Sequence, residues 1–184
     1  YRDNADGAVA CLHILLEAGA NVNALEDQNQ ETPLHFAARF GNEDVVAALI
    51  KAGAELNRGT ARGESPLLCA CWRLQFNSDV KPALVLLKNG AAVNVRDDDG
   101  NTPLDWTISY SCRRLVPILL RAGAALPAHT TNAYLQRVIA AGGFGRYERN
   151  HLNALAAKFA PHFAHLPPEI VRLVVEYAFH VGDY

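Results

Sequence analysis

The sequence predicts an all-α solenoid, in which one pair of antiparallel helices is repeated and stacked along the chain. A first observation is a repeated phrase, Thr/Ser-Pro-Leu, which begins at Thr32, Ser65 and Thr102. A second is a Gly-Ala dipeptide that recurs at intervals of 34, 37 and 33 residues, at Gly19, Gly53, Gly90 and Gly123. Self-similarity at a fixed period of roughly 20–50 residues is typical of solenoids, whose units bury their apolar faces against neighbouring units.

The copy over residues 31–57 shows how each unit is built. Thr32 is placed to cap the first helix, and Pro33 occupies a position where its missing N–H costs nothing. The first helix is narrow, and we expect its core side to comprise Leu34, Ala37 and Ala38. The second helix carries an apolar stripe at helical spacing, formed by Val45, Val46, Leu49 and Ile50. Gly53 then ends that helix in the left-handed conformation, and the chain leaves in a hairpin.

The phrase over Thr32–His35 and the period near 33 residues resemble the ankyrin repeat family. The resemblance implies an ankyrin-repeat solenoid of paired antiparallel helices joined by β-hairpin loops, over residues 1–130. The middle copy has 24 residues from Pro66 to Gly90, where the other copies have 20, which predicts an insertion around Leu74–Asp79. Because the first copy lacks its opening phrase, we expect the chain to begin inside a repeat.

Residues 131–184 depart from the repeat pattern and predict a helical C-terminal cap. Two helices are predicted over residues 132–141 and 146–159, separated by a glycine-rich breaker. A third, short and apolar helix is predicted to begin at Pro167 or Pro168. Since a terminal unit must cover the open end of a stack, a cap is the expected structural role.

Composition bounds the class of protein. With 184 residues, 50% of them hydrophobic and 20% charged, the chain is large enough for one elongated core. A net charge of −2 gives no electrostatic reason to expect nucleic acid as a partner. No apolar run approaches the roughly 18 residues of a membrane span. Four cysteines inside the repeats favour reduced thiols in a cytoplasmic or nuclear protein, although a targeting segment before Tyr1 stays open.

The sequence contains no pattern of an enzyme, a cofactor or a metal site. Cys69 and Cys71 lie two apart on a predicted helix, so their side chains diverge and cannot chelate one ion. His162 and His165 have no cysteine or acidic partner nearby. Catalysis would need a nucleophile, a base and an orienting carboxylate, and no local signature announces them. The ankyrin resemblance implies a structural role for His35, which would bond backbone groups and link repeats.

The resemblance also implies a protein-binding concave face, made by the hairpin tips and the exposed side of the first helices. The candidates at the tips are Gln28, Asn29, Glu31, Arg62, Glu64, Asp98, Asp99 and Asn101. The candidates on the helices are Arg39, Phe40, Trp72, Arg73, Ser109 and Tyr110. Large aromatic and arginine side chains dominate interface energetics, so the helix group favours an interaction module or scaffold that binds another protein.

Two alternatives stay open on this face. Phe40 and Trp72 could instead pack beneath the hairpins or the insertion, as large aromatics often do. The run Asp97–Asp99 is interpreted as a solvated turn, with contact to a basic partner segment as the alternative. In the hairpins, Asn23, Asn57 and Asn94 are predicted to hold the turns by hydrogen bonds. The ankyrin resemblance implies an alternative role for the same three residues, as targets of asparaginyl hydroxylation.

A second function is implied by the C-terminal segment. Leu166–Ile170, with Val174 and Tyr177, resembles the opening of an F-box or of a truncated F-box-like segment. His151–Ala156 resembles the elongin-binding helix of a SOCS box. Either resemblance implies a substrate receptor of a ubiquitin ligase, with Ile170, Val174 and Tyr177 contacting ligase components. The alternative is that the same stripe turns inward against the preceding helix as part of the cap.

Overall fold

The computed structural model describes residues 2–40, 42–73, 79–112, 114–163 and 166–181. Within these ranges, the side chains of helical residues 2–6, 73, 172 and 176–181 lie outside the description. All regular secondary structure of the described ranges is helical, which confirms the predicted all-α class. The chain forms two compact units, unit 1 (Tyr1–Ala125) and unit 2 (Leu126–Tyr184).

Unit 1 is built from stacked helix pairs. Its described helices are α1 (Arg2–Glu17), α2 (Pro33–Phe40), α3 (Glu43–Lys51), α4 (Pro66–Arg73), α5 (Lys81–Lys88), α6 (Pro103–Ser109) and α7 (Leu115–Arg121). The first helices of successive units, α2, α4 and α6, pack on one another in an inner row. The second helices α1, α3 and α5 pack in an outer row, and α7 packs against α6. This arrangement is the predicted solenoid.

The core of each pair follows the predicted stripes, with one correction. Leu34, Ala37 and Ala38 are buried in the inner helix α2. In α3, Val46 and Leu49 are fully buried, but the expected core residues Val45 and Ile50 are only half-buried. The apolar stripe of α3 is centred on positions 46 and 49, so residues 45 and 50 fall at its flanks.

The recurring glycines end the outer helices. At Gly53, with φ of 91°, the glycine N–H donates to the Ile50 carbonyl and the Ala54 N–H donates to the Leu49 carbonyl, each at 3.0 Å. These two bonds form a Schellman motif, which needs the left-handed conformation that glycine adopts without strain. The same pair of bonds recurs at Gly19, Gly90 and Gly123.

The hairpins are paired turns, with no strand assigned in the described ranges. A backbone bond closes each tip, as from the Thr60 N–H to the Glu64 carbonyl at 3.0 Å. Asparagine side chains then join each hairpin to the next unit. The Asn23 carbonyl oxygen accepts from Glu55 N at 2.9 Å, Asn57 from Ala92 N at 2.7 Å, and Asn94 from Ala125 N at 2.8 Å. The predicted hydrogen-bonding role of these asparagines is confirmed.

Unit 2 contains α8 (Ala133–Ala140), α9 (Phe144–Phe159), a short 3₁₀ helix (Ala160–Phe163) and α10 (Pro168–Val181) among the described residues. Helix α9 packs against the other three. It begins two residues earlier than predicted, because only Gly142 and Gly143 adopt positive φ, and Gly145 lies inside the helix. Helix α10 begins at Pro168, one of the two predicted starts, and at 14 residues it is longer than expected.

The repeat spacing predicts an insertion in the middle repeat and a boundary between the repeats and the cap. The insertion around Leu74–Asp79 lies outside the described residues, except for Asp79. The structure divides after Ala125, whereas the sequence placed the end of the repeats at residue 130. The assignment of residues 1–130 to repeats and of 131–184 to a cap stays a prediction.

Candidate partner-binding face

The inner face of unit 1 consists of the tips at residues 28–31, 61–64 and 98–101 and the C-terminal halves of α2, α4 and α6. Backbone hydrogen bonds join successive tips. Ala61 N–H donates to the Asn29 carbonyl at 2.7 Å, and Asp98 N–H donates to the Arg62 carbonyl at 3.0 Å. The tips therefore form a connected edge that positions their side chains above the inner helices.

A first cleft of about 250 Å³ opens on this face between the first two of these tips and the ends of α2 and α4. Its lining comprises Asn29, Glu31, Arg39, Thr60, Arg62, Glu64, Cys69 and Trp72. Six of these eight residues were candidates from the sequence, and the structure brings them together. Sequence reasoning missed Thr60 and Cys69. The spacing of three residues between Cys69 and Trp72 on one helix could have indicated that Cys69 shares this surface.

Arg39 is the centre of the first cleft. Its Nη1 donates to Glu31 Oε2 at 3.1 Å, and its Nη2 contacts the other oxygen of the same carboxylate. The guanidinium carbon lies 5.8 Å from the centroid of the Trp72 ring, within cation–π range, and Nη2 lies 3.6 Å from Cys69 Sγ. The sequence placed Glu31 on an exposed tip, but it is buried because its carboxylate turns inward to this ion pair.

Glu64 is less completely paired. Its carboxylate lies 3.9 Å from Arg39 Nη2, and no described residue donates a hydrogen bond to it. Partial burial raises the pKa of Glu64, although the positive charges of Arg39 and Arg62 oppose that shift. The carboxylate is therefore partly removed from water, with Arg39 at the limit of ion-pair distance and no hydrogen bond to it from a described residue.

His35 fixes the backbone beneath the first cleft. Its Nδ1 accepts from Thr32 N–H at 3.0 Å and lies 2.8 Å from the Thr32 hydroxyl. Its Nε2 donates to the carbonyls of Arg58 at 2.9 Å and Glu64 at 3.1 Å, since a carbonyl can only accept. Burial lowers the pKa of His35, so the ring is neutral at pH 7. The predicted structural role of His35 is confirmed.

A second cleft of about 220 Å³ lies one unit further along the inner face. Its lining comprises Asn101, Trp106, Ser109 and Tyr110, of which Trp106 was missed from the sequence. Trp106 Nε1 donates to Asp97 Oδ2 at 2.7 Å, and its ring lies 5.3 Å from that of Tyr110. Asp97 is consequently buried rather than solvated, which corrects the interpretation of the Asp97–Asp99 run, while Asp98 and Asp99 are exposed.

Four described candidates, Gln28, Phe40, Asp98 and Asp99, line neither cleft. Gln28 is exposed at the first tip. Phe40 is 67% exposed and stacks on Phe36 with ring centroids 6.3 Å apart, and Trp72 is 37% exposed. These exposures disfavour the alternative that either ring packs beneath the hairpins. The side chain of Arg73 lies outside the described residues.

The exposed side of α10 distinguishes the two alternatives that the sequence left open. Val171 and Val175 are buried, whereas Ile170 and Val174 are 42% and 45% exposed, and Leu173 is exposed beside them. The cap alternative expects Ile170 and Val174 to turn inward, so their exposure disfavours it. The side chain of Tyr177, the third candidate, lies outside the described residues.

Other kinds of site find little support in the described part of the chain. No group of three or more His, Cys, Asp or Glu side chains there is arranged to hold a metal ion. Burial raises the pKa of Cys69 and of Cys71 to about 12, so both thiols are protonated at neutral pH. A thiol in that state is a poor nucleophile. None of the helices in the described ranges has the length and apolarity needed to cross a membrane.

Comparison with known proteins identifies the repeats. Residues 4–80 match the family model for ankyrin repeats (3 copies). Ankyrin repeat and SOCS box protein 16 of Homo sapiens is 36% identical over 121 residues, which cover 64% of this chain and 27% of that protein. Neurogenic locus Notch protein of Drosophila melanogaster is 35% identical over 124 residues, covering 66% of this chain and 4% of that protein.

Ankyrin repeat and SOCS box protein 11 of Danio rerio is 36% identical over 111 residues, covering 60% of this chain and 36% of that protein. The chain thus spans between 4% and 36% of the length of these three relatives. The predicted ankyrin resemblance is confirmed over residues 4–80, which match ankyrin repeats and lie within the all-α solenoid. Ankyrin repeats are a non-enzymatic interaction module that binds proteins.

Proposed function

We propose that this chain binds a partner protein on the inner face of unit 1. The observation that carries the proposal is the first cleft, where the exposed ring of Trp72 lies beside the guanidinium of Arg39. Tryptophan and arginine are enriched among the few residues that provide most of the binding energy of interfaces. Here both belong to a face with further exposed aromatic groups, including Phe40.

Preorganisation supports the same proposal. Glu31 holds Arg39 through both of its carboxylate oxygens, and Trp72 lies over the guanidinium. A partner that contacts Arg39 would not have to order this long side chain, whose immobilisation costs about 0.5–1.5 kcal/mol when it is free. The backbone bonds between the tips fix the rim of the cleft in the same way.

Replacing Trp72 by alanine tests this function. We expect the affinity for the main partner, recovered by affinity purification on the whole chain, to fall by about 2 kcal/mol or more, roughly 30-fold. Titration calorimetry measures the affinity, and circular dichroism measures the helix content. Phe159→Ala is the matched control, because it removes an aromatic ring of similar exposure from unit 2. Unchanged affinity with an intact fold would remove Trp72 from the interface, and equal losses of fold and binding would favour a packing role.

A second candidate function is a substrate receptor of a ubiquitin ligase. Its support is the exposed face of α10, where Ile170, Leu173 and Val174 recur at the spacing of one helix face. Exposed apolar groups in such a row are typical of a helix that docks into a groove of another protein. Two of the relatives are described as ankyrin repeat and SOCS box proteins, which suits this candidate.

The double substitution Ile170→Ser and Val174→Ser separates this candidate from a cap. If the face docks on a ligase component as an F-box does, the variant should lose at least about 90% of its binding to the purified adaptor protein that F-boxes bind. Its stability should change little, since exposed substitutions usually alter it by about 0.5 kcal/mol or less each. The matched control, Val171→Ser with Val175→Ser, places hydroxyls in a buried position and should destabilise unit 2 by several kcal/mol. Undiminished binding to that adaptor, or equal destabilisation by both pairs, would contradict the receptor function.

A further inference from the structure

The first cleft also indicates what chemistry its partner presents. We infer, resting on the proposed function, that the cleft takes one lysine or arginine side chain of an extended partner segment. The cation pairs with the Glu64 carboxylate, and its aliphatic stem lies against Trp72. Four observations carry this inference: the pairing of the cleft's charges, its size, the charge of the surrounding face and the position of the second cleft.

The pairing within the cleft leaves Glu64 available. Arg39 is committed to Glu31 through two contacts with one carboxylate, the strong geometry for this pair of groups. Its distance of 3.9 Å to Glu64 is too long for a hydrogen bond. Partial burial raises the pKa of Glu64, so the carboxylate gains from a cation that replaces its lost water. A partner's ammonium or guanidinium would supply the hydrogen bonds that no described residue donates to it.

The size and lining of the cleft fit a single side chain. A volume of about 250 Å³ lies below the range of roughly 300–1,000 Å³ typical of sites for drug-sized ligands. Trp72, 37% exposed, offers an apolar surface to the methylene groups of lysine or arginine. The aromatic ring also attracts the charge itself when the cation approaches its face.

The charge of the surrounding face favours a basic partner over an acidic one. Arg39 and Glu31 neutralise each other in their ion pair. Among the other described side chains of the inner face, three carboxylates (Glu64, Asp98 and Asp99) outnumber the one guanidinium group, that of Arg62. Asp98 and Asp99 are exposed at the next tip along. An acidic segment would meet like charges there, and such juxtaposition costs several kcal/mol at an interface.

The second cleft sets the expected spacing in the partner segment. Packed helices lie about 8–10 Å apart, and an extended chain advances about 3.3 Å per residue. Because successive side chains of an extended chain point to opposite faces, side chains two or four residues apart, about 7–13 Å, could enter the two clefts. The rings of Trp106 and Tyr110 in the second cleft suit an apolar or aromatic residue. The two clefts are close enough to interact, because the charge of Glu64 adds to partial burial in raising the pKa of Tyr110.

Phage-displayed random 12-residue peptides, panned against the whole 184-residue chain, test the inference. We expect the enriched peptides to share a lysine or arginine, with an apolar or aromatic residue two or four positions away. Fluorescence anisotropy of the best peptide then measures its affinity for each variant. Glu64→Gln should weaken it about tenfold or more. Glu55→Gln is the matched control, because Glu55 is exposed and lines neither cleft, and it should change the affinity less than about twofold.

The outcomes separate this inference from the proposed function. If Trp72→Ala weakens the peptide while Glu64→Gln does not, the inner face binds proteins but the cationic subsite is wrong. If neither variant weakens it, both proposals fail. Enriched peptides without a basic residue, or no enrichment at all, also overturn the inference. A peptide in which citrulline replaces the arginine removes the charge without altering the protein, and it should bind about tenfold more weakly even if Glu64→Gln perturbs the fold.

Discussion

Replacing Leu49 by alanine is expected to destabilise unit 1 by about 2–5 kcal/mol, the range for large-to-small substitutions in a packed core. Leu49 is 1% exposed, and its carbonyl accepts the Ala54 N–H in the turn that ends α3. Because α3 packs between α1 and α5, the lost contacts belong to two interfaces between units as well as to one helix pair. In a stack stabilised by nearest neighbours, such a loss should spread beyond its own unit.

Urea denaturation followed by tryptophan fluorescence measures this effect in unit 1 alone. The chain contains two tryptophans, Trp72 and Trp106, and both lie in unit 1. Leu15→Ala is the matched control, since Leu15 holds the equivalent position in α1 but is 57% exposed. It should cost less than about 1 kcal/mol. A loss below that value for Leu49→Ala would show that the outer helices are not packed as the structure places them.

The repeat architecture was predictable because its determinants are local. A glycine is needed where the chain turns into the left-handed conformation, so the positions of Gly53 and its counterparts expose the period directly. The helix stripes follow from the same period, and the sequence alone therefore predicts that Arg39 and Trp72 lie on one face. Their meeting in one cleft depends only on stacking successive copies of the same unit.

The details that the sequence could not decide depend on contacts between groups that are distant along the chain. Glu31 is polar and sits in a tip, and nothing in its neighbours indicates that Arg39, eight residues away, draws its carboxylate inward. In α10, apolar residues occupy so many positions that periodicity alone cannot decide which of them turn inward. The choice of Val171 and Val175 over Ile170 and Val174 is made by packing against α9, not by the pattern.

His35→Leu is expected to destabilise unit 1 by about 2–5 kcal/mol at pH 7.5, although leucine itself fits at this position of a repeat. The equivalent position of the next unit is Leu68, which is buried. The loss would therefore come from hydrogen bonds. Without the imidazole, the Thr32 N–H and the Arg58 carbonyl have no other described partner, and each unsatisfied buried group costs about 1–3 kcal/mol. The Glu64 carbonyl still accepts from Thr60 N–H at 3.0 Å.

The same variant should alter the dependence of stability on pH, with a sign set by the lowered pKa of His35. Burial disfavours its charged form in the fold, whereas the unfolded histidine titrates near 6.5. As the pH falls below about 6.5, the unfolded chain binds a proton that the folded chain does not, so the wild-type protein loses stability until the folded pKa is reached. His35→Leu lacks this loss, and the difference in unfolding free energy between the two proteins should narrow from pH 7.5 to pH 5.5.

His13→Leu, which removes an exposed histidine, is the control. It should leave the unfolding free energy nearly equal to that of the wild type at pH 7.5 and at pH 5.5. If the difference in unfolding free energy between wild type and His35→Leu stays constant over this range, His35 titrates in the fold as it does in the unfolded chain. Its complete burial, and the Thr32 N–H that donates to its Nδ1, contradict that outcome.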